Sequence, residues 1–214
     1  MSEYQVARMT VVPSVVNQVG FWSAVLTTVW ILAFNVTAFV LQSQVLIVGS
    51  ALLIAPSFVI LMASIHYYAR AEKKLWSQIG LSFAIIYAAI VGLNYFLSLT
   101  VVRQNPQSYA WLTMDLRPDS TFWALEVLGY SFMSLGALFV APIFSGGKIE
   151  RAIRSLFVVN GVATLAATLA VLLNANPLHV LVLASLGVWS VAFPIATILL
   201  ALVFRRTERT EMIK

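Results

Sequence analysis

The chain has 214 residues, of which 61% are hydrophobic and only 10% are charged. That composition excludes an ordinary soluble domain, in which about a quarter of the residues are charged. The sequence has no cysteine, which excludes disulfides and thiolate metal sites. The basic residues that give the net charge of +5 stand in small groups at the ends of apolar segments, and this placement argues against nucleic acid as a partner.

Apolar segments that are long enough to cross a bilayer as helices follow one another along the chain. A span needs about 20 such residues. We therefore predict an all-α polytopic membrane protein, a bundle of six transmembrane helices. The predicted organisation is a tail over 1–19, a membrane domain over 20–204 and a basic tail over 205–214. The six predicted spans are 20–41, 45–67, 79–102, 121–144, 153–173 and 178–204.

The connection between spans three and four is the longest polar stretch inside this membrane domain. It covers residues 103–120, and Ser120 at its end is a typical first residue for a helix. Eleven Lys and Arg residues fall on the side of the two termini, and only Arg103 and Arg117 fall on the opposite side. Because basic residues favour the cytoplasmic side, both termini are predicted to be cytoplasmic, with the protein in the plasma (inner) membrane.

Polar residues inside the spans recur at helical spacing. Trp123, Glu126 and Tyr130 share one face of span four, while Asn94 lies in span three and Asn160 in span five. Polar side chains in a bilayer usually face other helices. Two interpretations remain open: packing faces with hydrogen bonds between helices, or a shared cavity between spans three, four and five.

Glu126 is the one charged residue that we place well inside a predicted span, since Arg154, the second residue of span five, belongs to the basic turn before it. A rise of 1.5 Å per residue puts it roughly 7–8 Å below the outer edge of span four. A carboxylate there is a candidate to accept a cationic group, bind a polar ligand or relay a proton. The alternative is a structural role, in which Glu126 pairs with Arg103 or Arg117.

The candidate ligand-binding residues add one aromatic side chain from the loop, Trp111. The complete predicted set is Glu126, Asn94, Trp111, Trp123, Tyr130 and Asn160. No catalytic motif or cofactor-binding pattern occurs. His66 and His179 fall near opposite ends of the predicted bundle, too far apart to share a metal ion.

One run of residues supports a resemblance. The run from Ser120 to Tyr130, the Ala141-Pro142 pair and the Gly-Gly-Lys turn that follows are similar to small six-span prokaryotic integral membrane proteins of unassigned function. The resemblance covers spans three to six best. It implies six helices and no particular activity.

Three classes of function fit the sequence. The first is a protein that binds or transports a small lipophilic molecule through an outward-facing pocket between spans three, four and five. The second is a non-catalytic accessory or structural subunit of a larger membrane complex. The third is a lipid-modifying membrane enzyme. The expected partners are membrane lipids and partner membrane subunits.

Overall fold

Six long helices make up most of the described part of the chain in this computed structural model. The structure describes residues 3–108, 120–174, 176 and 178–212, with side chains for 15–108, 120–174, 176 and 178–206. The helices are α1 Glu3–Val36, α2 Gln44–Tyr68, α3 Lys74–Leu97, α4 Thr121–Val140, α5 Lys148–Leu172 and α6 Val180–Met212. The short turns are π-helical at Thr37–Leu41 and Ser98–Val102 and 3₁₀ at Ala71–Lys73 and Ala141–Ile143. The predicted all-α fold with six membrane helices is confirmed.

All six helices are long and apolar enough to cross a membrane. The segments that qualify are Val15–Leu41, Gln44–Tyr68, Ala71–Val102, Thr121–Ile143, Lys148–Leu172 and Val180–Arg206. They contain 23 to 32 residues, or about 35–48 Å of helix, against a hydrocarbon core of about 30 Å. Their outer faces carry large apolar side chains, such as Val40 and Leu172. These properties fit a multi-pass integral membrane protein.

Several helices extend beyond the predicted spans. α1 begins at Glu3, well before the predicted start at residue 20, and α6 continues to Met212, past the predicted end at 204. A helix satisfies its own backbone hydrogen bonds, so it does not have to stop where the hydrocarbon stops. Hydropathy indicates the lipid-facing part of a helix and not its full length.

The helices form a closed ring in chain order. Each helix packs against its neighbours in sequence, and α6 packs against α1. Only Gln42 and Ser43 separate the first two helical segments, and Gln42 takes a left-handed conformation with φ of 51°. We call the end where α1 and α3 finish and α4 begins the loop end, and the opposite end the basic end.

A proline in α6 explains one contact that closes this ring. Pro194 has no N–H, so the carbonyl of Ser190 loses its helical hydrogen bond. The Nδ2 of Asn35 on α1 donates to that carbonyl at 3.0 Å. A second link between the same helices joins the hydroxyls of Thr28 and Thr197 at 2.7 Å. Both contacts hold α1 against α6.

Glycines allow α3 and α4 to approach closely. A Cβ atom added at Gly80 would lie 2.9 Å from the carbonyl oxygen of Gly136 and 2.6 Å from a methyl carbon of Val140. Such distances are far inside van der Waals contact, so no larger residue fits at position 80 without a shift. Contacts between small residues are a common way for membrane helices to pack.

Aromatic side chains fill the middle of the helix ring. Phe58 on α2 lies 5.8 Å from Tyr87 on α3 and 5.6 Å from Phe193 on α6, measured between ring centroids. Phe157 on α5 lies 5.8 Å from Phe193. All four side chains are fully buried. This layer closes the centre of the bundle.

Candidate functional site

A cavity of about 360 Å³ lies inside the loop-end half of the helix ring. Five helices contribute to its wall. The lining residues are Phe34, Ala38 and Phe39 of the first helical segment, Ile47 of α2, Trp123, Glu126, Val127 and Tyr130 of α4, Thr164, Ala167, Thr168 and Val171 of α5, and Val182, Leu183, Ser185, Leu186 and Trp189 of α6. No residue of α3 lines it. Its position therefore differs from the predicted site between spans three, four and five.

The face of α4 brings three predicted residues to this cavity. Trp123, Glu126 and Tyr130 follow one another at steps of three and four, which places them on one side of a helix. Ser120 caps the start of α4, since its hydroxyl accepts a hydrogen bond from the backbone N–H of Trp123 at 3.4 Å. The cap marks where α4 begins.

α3 reaches the site through a hydrogen bond to the carboxylate. The hydroxyl of Tyr95, a side chain that is 1% exposed, donates to Oε1 of Glu126 at 3.0 Å. The hydroxyl oxygen of Tyr130 lies 3.5 Å from that of Tyr95. A phenol has one proton, so when Tyr95 donates to Glu126, Tyr130 is the group that donates to Tyr95. The three side chains form a short polar chain, in which Tyr95 links the two cavity-lining residues Glu126 and Tyr130.

Aromatic side chains form much of the remaining wall. Trp189 stands nearly perpendicular to Tyr130, with ring centroids 5.2 Å apart, and nearly perpendicular to Phe34 at 5.5 Å. Below them, Trp189 also contacts Phe193, and Tyr130 contacts Tyr87, both in the buried aromatic layer. The buried aromatic layer therefore closes the cavity towards the basic end.

The hydroxyl groups on the α5 and α6 side of the cavity bond to one another. Thr168 on α5 and Ser131 on α4 have their hydroxyl oxygens 2.6 Å apart. The hydroxyl of Ser185 on α6 donates to that of Thr164 on α5 at 3.3 Å. Because these groups are already paired, the carboxylate of Glu126 is the main polar feature that the cavity offers to a ligand.

Two predicted residues are used for packing between helices and do not line the cavity. Asn94 is buried, and its Nδ2 donates to the backbone carbonyl of Phe122 at 3.1 Å, which ties α3 to the start of α4. Asn160 is buried as well, and its Nδ2 donates to the hydroxyl of Ser134 at 3.5 Å, which ties α5 to α4. Trp111 lies outside the described residues.

The alternative interpretation, in which Glu126 pairs with Arg103 or Arg117, finds no support in the position of Arg103. Arg103 lines a second, smaller pocket of about 220 Å³ between α2 and the end of the third span, together with Gln44 and Ser98. Among the described residues, no Lys or Arg lines the cavity that holds Glu126. Arg117 lies outside the described residues.

Sequence reasoning missed Tyr95 and the contributions of α1 and α6. Tyr95 was detectable, because Tyr87, Val91 and Tyr95 follow one another at steps of four on the buried face of α3. Phe34 and Trp189 offered no such signal, since each is one aromatic residue among many in an apolar helix.

No known protein family, curated protein or solved structure was found to match the chain. The resemblance to small six-span prokaryotic membrane proteins stays a prediction.

Proposed function

We propose that this membrane protein binds a small, largely apolar molecule in the loop-end cavity. The observation that carries the proposal is an apolar cavity of about 360 Å³ with a single charged side chain, Glu126, among its described lining residues. Ligand pockets usually measure about 300–1,000 Å³, with a few polar groups in an apolar wall. A cavity of about 150 Å³ already holds benzene. The volume of this cavity suits a ligand roughly twice the size of benzene.

Binding is favoured over conduction by the closed lower end of the cavity. Tyr87, Phe58 and Phe193 fill the bundle below it and are fully buried. A molecule that entered from the loop end would stop at this layer. Transport across the membrane would require a second conformation in which these side chains move apart, and we propose it only as an extension of binding.

The chemistry of the cavity mouth supports a lipophilic ligand. Three lining side chains are also substantially exposed on the outside of the bundle: Phe39 at 59%, Leu183 at 48% and Leu186 at 39%. They belong to the first and last helical segments, which pack side by side. Apolar side chains at this position favour a ligand that reaches the cavity from the bilayer. By the distribution of Lys and Arg, we propose that the mouth lies on the extracytoplasmic side of the plasma membrane.

Native mass spectrometry of the detergent-extracted protein tests the proposal. Ala167 lines the cavity, and its replacement by phenylalanine adds a ring that needs about 150 Å³ of the space. Ala184 lies on α6 near the same end, is exposed and does not line the cavity, so Ala184→Phe is the matched control. We expect a bound small molecule in the wild type and in Ala184→Phe, and its loss in Ala167→Phe. Equal occupancy in all three would refute binding in this cavity.

The two other predicted roles rest on the sequence alone. An accessory subunit would contact its partner through small residues on helix faces that the other helices of this chain leave open. Gly80 and Gly136 are used between α3 and α4 of the same chain, and Gly161 faces Leu138. These glycines are therefore not available for a partner, whereas Gly92 on α3, where an added Cβ meets nothing within 4 Å, is. For a lipid-modifying enzyme, the polar groups among the described lining residues include the carboxylate of Glu126, the phenol of Tyr130 and the hydroxyls of Thr164, Thr168 and Ser185.

A further inference from the structure

We infer that the ligand of this cavity is a lipophilic cation, held by the carboxylate of Glu126 inside a wall of aromatic side chains. The inference rests on the proposed function, because it names the chemical class of the molecule that the cavity would bind. It draws on three observations: the charge of the lining, the free side of the carboxylate and the aromatic composition of the wall.

The first observation is an uncompensated acidic group. Glu126 is the one charged residue among the described residues that line the cavity, and no basic side chain among them faces it. A carboxylate removed from water is costly unless it is paired or hydrogen-bonded. The fold supplies one hydrogen bond, from Tyr95, and no counter-charge within the described residues. A positively charged ligand would supply the missing partner.

The second observation concerns the two oxygens of that carboxylate. Oε1 accepts the hydrogen bond from Tyr95 at 3.0 Å. Within the part of the chain that the structure describes, Oε2 has no hydrogen-bond partner. Tyr95 on α3 therefore holds one side of the group while the other side remains available. Because Glu126 lines the cavity, a ligand there can approach it directly.

The third observation is the aromatic wall. Trp123, Tyr130 and Trp189 line the same cavity as Glu126, together with two phenylalanines. Aromatic faces attract cations, most strongly those of tryptophan, and groups of such side chains recognise quaternary ammonium ions. Trp189 and Tyr130 lie nearly perpendicular to each other, so they form two walls of the cavity instead of a stack.

These features favour a lipophilic cation over a neutral molecule or an anion of similar shape. A tertiary or quaternary ammonium with an aryl or branched alkyl body would place its apolar part against the wall and its charge near Glu126. A neutral molecule of the same shape would fill the cavity without satisfying the carboxylate. An anion would be repelled by it. Charge, more than shape, should therefore determine affinity.

A matched pair of probes tests the class of ligand. Phenyltrimethylammonium and tert-butylbenzene have nearly the same shape and differ in whether a nitrogen cation or a carbon holds the three methyl groups. Their dissociation constants would be measured on the full chain in detergent micelles, by quenching of tryptophan fluorescence and by calorimetry. Partition of each probe into protein-free micelles is measured separately and subtracted. We expect the cation to bind at least about tenfold more tightly than its neutral isostere.

Two conservative variants identify the source of that preference. Glu126→Gln removes the charge and keeps an oxygen that can accept the hydrogen bond from Tyr95. We expect the tenfold preference to disappear while tert-butylbenzene still binds, which also shows that the cavity is intact. Glu72 is exposed in the short turn Ala71–Lys73, near the basic end. Glu72→Gln is the matched control and should retain the full preference.

The possible results separate the two proposals. Binding of the cation with a preference that depends on Glu126 supports both. Equal binding of the two probes overturns the cation inference and leaves binding in the cavity standing. A preference that survives Glu126→Gln also overturns the inference, because the charge would come from elsewhere. Failure of both probes to bind the wild type counts against the proposed function itself.

Discussion

Two tyrosines on α3, Tyr87 and Tyr95, differ in the hydrogen bonding of their hydroxyl groups, and mutation can test this difference. Tyr87 and Tyr95 are both completely or almost completely buried, at 0% and 1% exposure. The Tyr95 hydroxyl donates to Glu126, whereas the Tyr87 hydroxyl makes no hydrogen bond to any of the described residues. Replacement of each by phenylalanine removes one oxygen atom and changes little else. The structure predicts a loss of stability for Tyr95→Phe and little change or a gain for Tyr87→Phe.

The magnitudes follow from the partners. A hydrogen bond to a charged group contributes about 1.5–3 kcal/mol to stability, although hydrogen bonds inside membranes average closer to 0.6 kcal/mol, with a maximum of about 1.7. We therefore expect Tyr95→Phe to lower the free energy of unfolding by about 1–2 kcal/mol. Removal of an unpaired buried hydroxyl relieves a desolvation cost. Tyr87→Phe should thus change the free energy of unfolding by less than about 0.5 kcal/mol or increase it.

Reversible unfolding in mixed detergent micelles, followed by circular dichroism, measures both free energies. A double-mutant cycle with Glu126→Leu isolates the contact, because Tyr95→Phe should cost much less once the carboxylate is gone. Tyr87→Phe should be insensitive to that background. A cost for Tyr87→Phe equal to that for Tyr95→Phe, or a cycle without coupling, would refute the assignment of Tyr95 as the residue that positions Glu126.

Two further predictions concern packing and orientation. Gly80→Ala should lower the free energy of unfolding by about 1–3 kcal/mol relative to Gly92→Ala on the same helix. The reason is that the added Cβ meets the Gly136 carbonyl at position 80 and nothing within 4 Å at position 92. Equal effects in the same unfolding assay would contradict the close α3–α4 contact. The chain has no native cysteine, so Ser108→Cys should react with an impermeant thiol reagent in intact cells and Ser145→Cys only after permeabilisation; the reverse pattern would invert the proposed orientation.

The number and class of the helices were predictable because they depend on local composition. Each span is a run of apolar residues of the required length, and hydropathy detects that run directly. The ends were less predictable. Residues 3–19 are not apolar enough to mark a span, yet α1 starts at Glu3, because a helix can continue beyond the hydrocarbon.

The face of α4 was predictable for a similar reason. Trp123, Glu126 and Tyr130 lie at helical spacing, and the spacing alone places them together. One step along a helix turns a side chain by about 100°. Asn94 and Tyr95 therefore point in different directions. Asn94 is the more obviously polar of the two, but Tyr95 is the residue that contacts Glu126.

The contribution of α1 and α6 was not predictable from one sequence. Asn35 and Ser190 are 155 positions apart and meet because α6 closes the helix ring against α1. Pro194 leaves the Ser190 carbonyl without its helical partner, but the sequence does not say which side chain replaces it. The same closure brings Phe34 to Trp189, and with it one wall of the cavity.

The location of a bound probe tests the central claim most directly. Crystals of the protein soaked with 1-bromo-4-tert-butylbenzene would reveal the bromine by its anomalous scattering, without any assumption about affinity or charge. The claim that this cavity is a ligand site predicts a peak inside the loop-end half of the helix ring, among Trp123, Glu126 and Trp189, that disappears in Ala167→Phe crystals. Bromine found only on the lipid-facing surface, with the cavity vacant, would contradict it.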